Sequence, residues 1–142
     1  MDITRLFPRG GHVETVQGDF CLCRASFPDG EGRMELYTLL PGIVLTFNDF
    51  HTHCGFQQEA PRPGLIEINH CLKGRYDCTL SNGRSISIGP RDFAAIDMGY
   101  PPDRSAFTFG EYYGISMVVD PEEASASLNR MLGLKTVRLQ ET

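Results

Sequence analysis

The sequence has no excess of positive charge and no long apolar run. Its 142 residues carry 13 Lys and Arg against 18 Asp and Glu, which gives a net charge of −5. Since binding to nucleic-acid phosphates depends on clustered basic side chains, this balance argues against a DNA-binding surface on this chain. The longest apolar runs, such as residues 115–119, are far too short to cross a bilayer. No basic region followed by an apolar stretch opens the chain, so we expect no secretory signal, no membrane partner and a cytoplasmic location.

Catalytic and metal-binding motifs are also scarce. The five cysteines include no Cys-x-x-Cys pair, although Cys21 and Cys23 would share one face of a strand. Two readings of that pair are open, part of a zinc site or small buried hydrophobic residues in a reducing compartment, and we favour the second. The chain has no Gly-x-Ser-x-Gly motif, phosphate loop or dinucleotide fingerprint, and no His follows His70. We therefore assign no catalytic residue and expect no enzyme.

What the sequence does contain is a series of short strands separated by turn residues, which predicts an all-β barrel or sandwich. The predicted strands are residues 12–17, 20–27, 34–40, 43–53, 65–72, 75–80, 84–88, 93–98 and 112–119. The segment 66–93 is the clearest part of the series. Its predicted turns are Lys73-Gly74, a type I′ hairpin turn at Asn82-Gly83, and a corner at Gly89-Pro90-Arg91-Asp92. A small barrel of this kind can hold one ligand in its interior.

One helix is predicted at residues 120–132. Asp120 is a suitable N-cap, Pro121 suits the first helical position, and Gly133 can end the helix. The helix carries a single apolar stripe, which consists of Ala124, Leu128, Met131 and Leu132. We expect residues 1–11 to form a loosely attached arm, residues 1–133 to form one domain, and residues 134–142 to begin a linker.

Strand alternation selects the candidate ligand-binding residues. In the strand 43–53, the odd positions share one face, which is apolar at one end and carries His51 and His53 at the other. We expect this face to line the barrel interior, together with His70 on the strand 65–72. The predicted ligand-binding residues are Phe47, His51, His53, His70 and Tyr112. For the last of these, the sequence leaves open whether Tyr112 or its neighbour Tyr113 points inward.

The two histidines also raise the question of a metal. Two His residues two positions apart on a strand can both bind one ion, and Glu59 is a possible third ligand. The alternative is that His51 and His53 end the strand in solvent. A small metal-dependent enzyme, an isomerase or dioxygenase using these residues or His70, is therefore the competing interpretation.

The segments PGIVLTFNDFHTH, IEINHCLKGRYDCTLSNGRSISIGPRDFAAIDMG and FGEYYGISMVVD, followed by a Pro-led helix, resemble the amino-terminal regulatory domain of AraC-type transcription regulators. The resemblance covers roughly residues 40–132. It implies a cupin-type antiparallel barrel that senses a small effector, and a helix-turn-helix domain of the same polypeptide that binds DNA. With one convincing helix, residues 1–142 contain no such second domain. The helix stripe must be buried either against its own barrel or against a two-fold mate, and the resemblance favours an isologous homodimer through the stripe. We expect no cofactor.

The wider cupin pattern, by the same resemblance, argues against a metal. Metal-dependent cupins carry His-x-His, a Glu three or four residues later, and a further His after the glycine-containing corner. Here His51-x-His53 is present, but five residues separate His53 from Glu59 and no His follows the corner. The resemblance therefore favours a sensor domain over a metal-dependent enzyme.

Overall fold

The computed structural model describes residues 1–56 and 60–133 of the chain, and within them it confirms an all-β fold with one α-helix at the end. A short 3₁₀ helix, Ile3–Leu6, precedes the first strand. The strands are β1 (Gly11–Gln17), β2 (Phe20–Phe27), β3 (Gly30–Leu40), β4 (Ile43–His51), β5 (Ile66–Leu80), β6 (Ser85–Ile88), β7 (Phe93–Asp97) and β8 (Pro102–Val119), and the helix α1 is Pro121–Leu132. Neither helix is long and apolar enough to span a membrane.

All neighbouring strands pair antiparallel, in the order β1-β2-β3-β4-β8-β5-β6, with β7 also pairing with β5. The two longest strands, β5 and β8, pair with each other along most of their length and belong to both halves of the barrel. The first half of β5 therefore lies between β8 and β7, and its second half lies between β8 and β6. This arrangement brings the inward faces of β4, β8 and β5 side by side.

The predicted turn at Lys73-Gly74 is wrong, because β5 continues through it. The pairing of β5 with β8 shifts register on either side of Gly74, which has a φ of 86°. A Cβ atom at Gly74 would lie 2.1 Å from the backbone oxygen of Glu111. The glycine therefore allows a bulge that bends the strand rather than a turn that ends it.

The hairpin at Asn82-Gly83 is confirmed, but its turn type differs from the prediction. Gly83 has a φ of 85°, whereas Asn82 does not have the positive φ that a type I′ turn requires. The amide of Gly83 donates to the Leu80 oxygen at 2.9 Å, and the Leu80 amide donates to the Arg84 oxygen at 2.8 Å. These bonds close a three-residue loop whose last residue is left-handed. The corner at residues 89–92 is also present, held by the Asp92 carboxylate, which accepts from the Gly89 amide at 2.8 Å.

The amino-terminal residues are not a loose arm, and that prediction is corrected. Leu6 and Pro8 are buried, and Leu6 belongs to the main hydrophobic core. The terminal amino group of Met1 forms an ion pair of 2.8 Å with the carboxylate of Glu123 on α1. This segment therefore connects the first strand to the carboxy-terminal helix.

Helix α1 begins and ends as predicted. The carboxylate of Asp120 accepts a hydrogen bond from the amide of Glu123 at 3.2 Å, and Gly133 takes the left-handed conformation, with a φ of 64°. The predicted linker, residues 134–142, lies outside the described residues.

The apolar stripe of the helix is only partly buried. Ala124 is fully buried against the turn between β3 and β4, where a Cβ atom at Gly42 would lie 2.4 Å from the Ala124 nitrogen. Ser127 is buried beside it and donates to the Pro41 oxygen at 2.8 Å. Ala124 therefore packs within its own chain and is not available to a partner, which corrects its assignment to a dimer interface. Met131 and Leu132 remain 68% and 59% exposed.

Four of the five cysteines are buried and behave as small hydrophobic residues. Cys21 and Cys23 are buried in the core with Cys71 and Cys78, and no disulfide links the cysteines that the structure describes. Burial, together with the neighbouring Cys21, raises the pKa of the Cys23 thiol to about 11. A thiol that resists ionisation is a poor metal ligand, so the structure favours the buried-hydrophobe reading of this pair.

Candidate ligand site in the barrel interior

The inward face of β4 is the opposite of the predicted one. The even-numbered residues are the buried ones, among them Asn48, which is 1% exposed, and Phe50, which is fully buried. Phe47 is half-buried on the outer face, and both His51 and His53 are exposed. The expected inward orientation of these three residues is therefore wrong, and their part in ligand binding remains an untested prediction.

The error is a shift of one residue, which turns every side chain of a strand to the other face. Both faces of β4 carry large apolar residues, with Leu45 and Phe47 outside and Val44 and Phe50 inside. Hydrophobic alternation therefore did not distinguish the two faces.

The same shift applies to His70 on β5. Its neighbours Asn69 and Cys71 are buried, whereas the His70 ring lies outside and stacks on exposed Phe93, with 4.1 Å between ring centroids. Of the two tyrosines between which the sequence left the choice open, Tyr112 is the one that points inward, because Tyr112 is fully buried and Tyr113 is exposed.

A chain of hydrogen bonds crosses the interior from β4 through β8 to β5. The Asn48 amide nitrogen donates to the Ser116 hydroxyl at 2.8 Å, and that hydroxyl donates to the amide oxygen of Asn69. The Asn69 amide nitrogen then donates to the Glu67 carboxylate at 3.0 Å. These residues come together because Ser116 pairs directly with Asn69, while Asn48 and Glu67 lie one inward position to either side. Four polar side chains thus occupy inward positions that a small barrel usually fills with apolar side chains.

Glu67 is the charged end of this chain. Burial raises the pKa of its carboxyl group, and the hydrogen bond from Asn69 and the nearby charge of Arg62 oppose that effect. The Glu67 charge in turn adds to the effect of burial in raising the pKa of both Tyr76 and Tyr112. Arg62, Tyr76 and Tyr112 are themselves buried.

Three buried polar atoms in this region find no hydrogen-bond partner within the described part of the chain. They are the amide oxygen of Asn48, one terminal nitrogen of Arg62, and the hydroxyl of Tyr112. Buried polar groups are nearly always satisfied in native proteins, and each unsatisfied group costs about 1–3 kcal/mol. Three such atoms indicate a site prepared for polar groups that the described residues do not supply.

An aromatic cluster forms the other end of the interior. The rings of Phe50, Phe56, Tyr76, Phe107 and Tyr112 lie within 5.0 to 6.1 Å of one another where they are in contact. The interior therefore has an aromatic end and a polar end, and Tyr112 belongs to both. Such a combination suits a small molecule with an apolar body and a few polar groups.

The exposed histidines instead pair with carboxylates at the surface. The His51 ring lies 2.9 Å from the Asp49 carboxylate, and the His53 ring lies 3.1 Å from that of Asp29. Hydrogen bonds from the Thr52 hydroxyl and the His53 amide hold the pKa of Asp29 well below its usual range. No three His, Cys, Asp or Glu side chains among the residues that the structure describes are grouped to hold a metal. Glu59, the predicted third ligand, lies outside those residues, so the His51, His53 and Glu59 set remains untested.

Phe47 belongs to a separate pocket on the outer surface. This pocket has a volume of about 260 Å³ and is lined by Arg33, Glu35, Phe47, Asp49 and Tyr113. It opens on the face opposite to the polar chain. The outer pocket and the polar interior are therefore two candidate ligand sites. Substitutions at neighbouring positions of β4 can distinguish them, because Phe47 faces the outer pocket and Asn48 faces the interior.

The residues that make up the interior site were not selected from the sequence. Asn48, Glu67, Asn69 and Ser116 were missed, as was Arg62, which precedes β5. A signal was present at Asn48, an amide side chain in a strand that carries large apolar residues on both faces, whereas Asn69 shares its face with Glu67 and Lys73 and gave no such signal. A polar residue in a strand that is apolar on both sides is costly unless it has partners, which would have pointed to a buried network.

We expect Glu67→Gln to stabilise the protein increasingly as pH rises above about 4.5. Because the folded-state pKa of Glu67 is raised, the native carboxyl binds its proton more tightly than the unfolded one. Its ionisation therefore destabilises the fold as pH rises through the folded pKa, and glutamine removes that penalty while keeping an acceptor for Asn69. Urea unfolding of both proteins at pH 4.5 and pH 8 measures the effect. The exposed Glu122→Gln variant is the control, and an equal stability difference at the two pH values would contradict the assignment.

No family model matches the sequence, and no curated protein matches it. Among solved structures, the fold is similar to the Cnp3 cupin domain of Schizosaccharomyces pombe, with a TM-score of 0.52, 11% identity, and 72% of each chain covered. It is also similar to a cupin superfamily protein of Desulfitobacterium hafniense, with a TM-score of 0.51, 10% identity, and 66% of this chain and 82% of that one covered. The fold is a cupin barrel.

The fold is also similar to part of a transcriptional regulator of the HTH_3 family from Vibrio cholerae. The TM-score is 0.51 at 20% identity, and the match covers 68% of this chain. The matched part spans 55% of the length of that regulator. At this level of identity the likeness establishes the fold and leaves the function to the site.

Proposed function

We propose that this cupin domain is the small-molecule-sensing and dimerisation domain of an AraC-type transcription regulator, which controls a DNA-binding domain outside residues 1–142. The observation that carries the proposal is the interior chain from Asn48 to Glu67, with unsatisfied polar atoms at Asn48, Arg62 and Tyr112. A barrel with a purely structural role does not need a polar interior of this kind, because apolar side chains would fill it with a smaller free-energy penalty of burial.

The sequence and the fold comparisons support the same assignment. The resemblance to AraC-type regulatory domains covers roughly residues 40–132, which include the strands that carry Asn48, Asn69 and Ser116. The similarity to part of a Vibrio cholerae transcriptional regulator supports the idea that such a domain can serve a DNA-binding partner. The negative charge of this chain fits a module that leaves DNA contact to another domain.

The dimer contact of this proposal involves Leu128, Met131 and Leu132 at the end of α1. Two large apolar side chains that remain more than half exposed on a short helix are suited to packing against a symmetry mate. We expect Met131→Glu to convert a dimer into a folded monomer, because it places a charge in an apolar contact without touching the core. Sedimentation equilibrium measures the change, with Ala126→Glu, another exposed position on the same helix, as the matched control. A wild-type chain that is already monomeric at high micromolar concentration would contradict the dimer.

A fusion reporter tests the whole function. The domain is joined to a DNA-binding domain that must dimerise to act, and the reporter is measured in cells exposed to a panel of small metabolites. We expect reporter activity to require the cupin domain, to be lost with Met131→Glu, and to respond to at least one compound. That response should disappear with Asn48→Leu. Activity that is independent of the fused domain would overturn the proposal.

A further inference from the structure

One ring of the interior aromatic cluster does not come from a strand. Phe56 lies in the segment that follows β4 and meets four strand-borne rings edge to face. The centroid distances are 5.1 Å to Phe50, 5.1 Å to Tyr76, 5.0 Å to Phe107 and 5.5 Å to Tyr112, with interplanar angles between 73° and 86°. Four rings on β4, β5 and β8 thus form a box for a fifth, and edge-to-face contact is a favourable arrangement for an aromatic occupant.

The backbone around Phe56 is fixed against β8. The Ser105 hydroxyl donates to the Phe56 oxygen at 2.7 Å, and the Phe107 amide donates to the His53 oxygen at 3.1 Å. Gly55 has a φ of 68°, and a Cβ atom there would lie 2.6 Å from the Ala106 nitrogen. These contacts fix the backbone at Gly55 and Phe56 so that the Phe56 side chain points into the box.

Two of the unsatisfied polar atoms lie beside this box. Tyr112 is one of its walls, and the Tyr112 hydroxyl lies 2.7 Å from the position of a Cβ atom at Gly114. Gly114 is paired directly with Asn48 across β8 and β4, so the hydroxyl and the Asn48 side chain approach the same point of the inward face. The ring of Phe56 brings no hydrogen-bonding group to either atom. An apolar occupant therefore fills the box while its polar wall remains unsatisfied.

We propose that the box is the binding site for a monocyclic aromatic compound that carries a hydroxyl group, and that the Phe56 ring occupies this site when the compound is absent. The ligand ring takes the place of the Phe56 ring. Its hydroxyl donates to the Asn48 amide oxygen and accepts from the Tyr112 hydroxyl, which satisfies both atoms at once. This inference rests on the proposed sensing function and names the chemical class of its effector.

Binding of such a compound must compete with Phe56. The wild-type chain gives up four ring contacts when Phe56 leaves, so its apparent affinity is lower than that of a chain with an open box. Displacement of Phe56 also changes the contacts of Gly55 and of the Phe56 backbone oxygen with Ser105 and Ala106 on β8. Binding of the effector inside the barrel thus changes how Gly55 and Phe56, which follow β4, contact β8.

Phenol and toluene, which differ in the hydroxyl alone, are the probes that test the proposal. Isothermal titration is carried out on the wild-type chain and on Phe56→Ala. We expect Phe56→Ala to bind phenol at least about tenfold more tightly than toluene, because the polar wall is satisfied by phenol alone. We also expect wild type to bind phenol more weakly than the variant. Toluene binding as tightly as phenol to Phe56→Ala would overturn the proposal.

Phe27→Ala is the control for binding to any cavity left by a lost ring. The ring of Phe27 contacts Phe50 at 6.2 Å from outside the box, so its removal should produce no phenol site of comparable affinity. An equal affinity in Phe27→Ala would also overturn the proposal.

If Phe56→Ala fails to fold, NMR spectroscopy of the wild-type chain with phenol tests the proposal instead. Phenol at saturating concentration should replace the contacts between the Phe56 and Tyr112 rings with contacts between phenol and Tyr112. Unchanged signals of both rings would rule the site out. A reporter fusion that responds to a compound without an aromatic ring would then leave the sensing function standing, whereas a fusion that responds to no compound would remove both.

Discussion

Gly74→Ala should lower the free energy of unfolding by at least about 3 kcal/mol, whereas Gly83→Ala should lower it by roughly 1–2 kcal/mol. The two glycines have almost the same φ, 86° for Gly74 and 85° for Gly83. Both alanines therefore carry the same cost of a left-handed L-residue. At Gly74 the new Cβ would also lie 2.1 Å from the Glu111 oxygen, while at Gly83 it would meet nothing within 4 Å.

The difference in stability between Gly74→Ala and Gly83→Ala therefore measures the steric clash at the bulge, apart from the cost of a positive φ. Urea unfolding of the two variants and the wild-type chain measures the difference. Because the clash at Gly74 is with backbone, β5 and β8 must separate locally to relieve it. Similar losses in the two variants would show that the bulge between β5 and β8 is not formed as described, and the shared inward face of the two strands would then be in doubt.

Ser116→Ala should lower the free energy of unfolding by about 2–4 kcal/mol, although it removes a single oxygen atom. The Ser116 hydroxyl accepts from Asn48 and donates to Asn69, and all three side chains are almost fully buried. Alanine leaves one donor and one acceptor without a partner in the interior. The loss of stability arises mainly from burying those two groups without a hydrogen-bond partner and less from the energy of the hydrogen bonds themselves.

Thr46→Val is the matched control for this variant. Thr46 is as buried as Ser116 and pairs directly with it. The Thr46 hydroxyl, however, makes only a long contact of 3.5 Å, and it makes this contact with the backbone oxygen of Ser116 and not with the Ser116 hydroxyl. Valine nearly preserves its shape, so the change should cost less than about 1 kcal/mol. Equal effects of Ser116→Ala and Thr46→Val would contradict the continuous hydrogen-bond chain.

Local signals in the sequence predicted most of the fold. The N-cap Asp120, the stop at Gly133 and the hairpin at residues 82–83 are each determined by a few neighbouring residues, and each is found in the structure. Gly74 was misread because a glycine with positive φ is required by a turn and by a bulge alike. Only the pairing of β5 with β8, which joins residues far apart in sequence, distinguishes the two.

The candidate site was less predictable, for a physical reason. Alternation gives the two faces of a strand but not which of them is inside, and on β4 both faces are apolar enough to be buried. Tyr112 does face the interior, although the sequence did not distinguish it from Tyr113, whereas the assignment of Phe47 and His51 to the interior was wrong because the opposite face of β4 is the inward one. The chain from Asn48 to Glu67 joins three strands, so no single segment of the sequence reveals it.

Direct binding to two variants at neighbouring positions of β4 tests the central claim, that the ligand site is the polar interior. Compounds that raise the melting temperature of the wild-type chain are titrated against Asn48→Leu, which alters the inward face, and Phe47→Ser, which alters the outer pocket. The interior site predicts that Asn48→Leu weakens binding at least about tenfold and that Phe47→Ser leaves it unchanged. Binding that survives Asn48→Leu and is lost in Phe47→Ser would place the ligand on the outer surface and contradict the account.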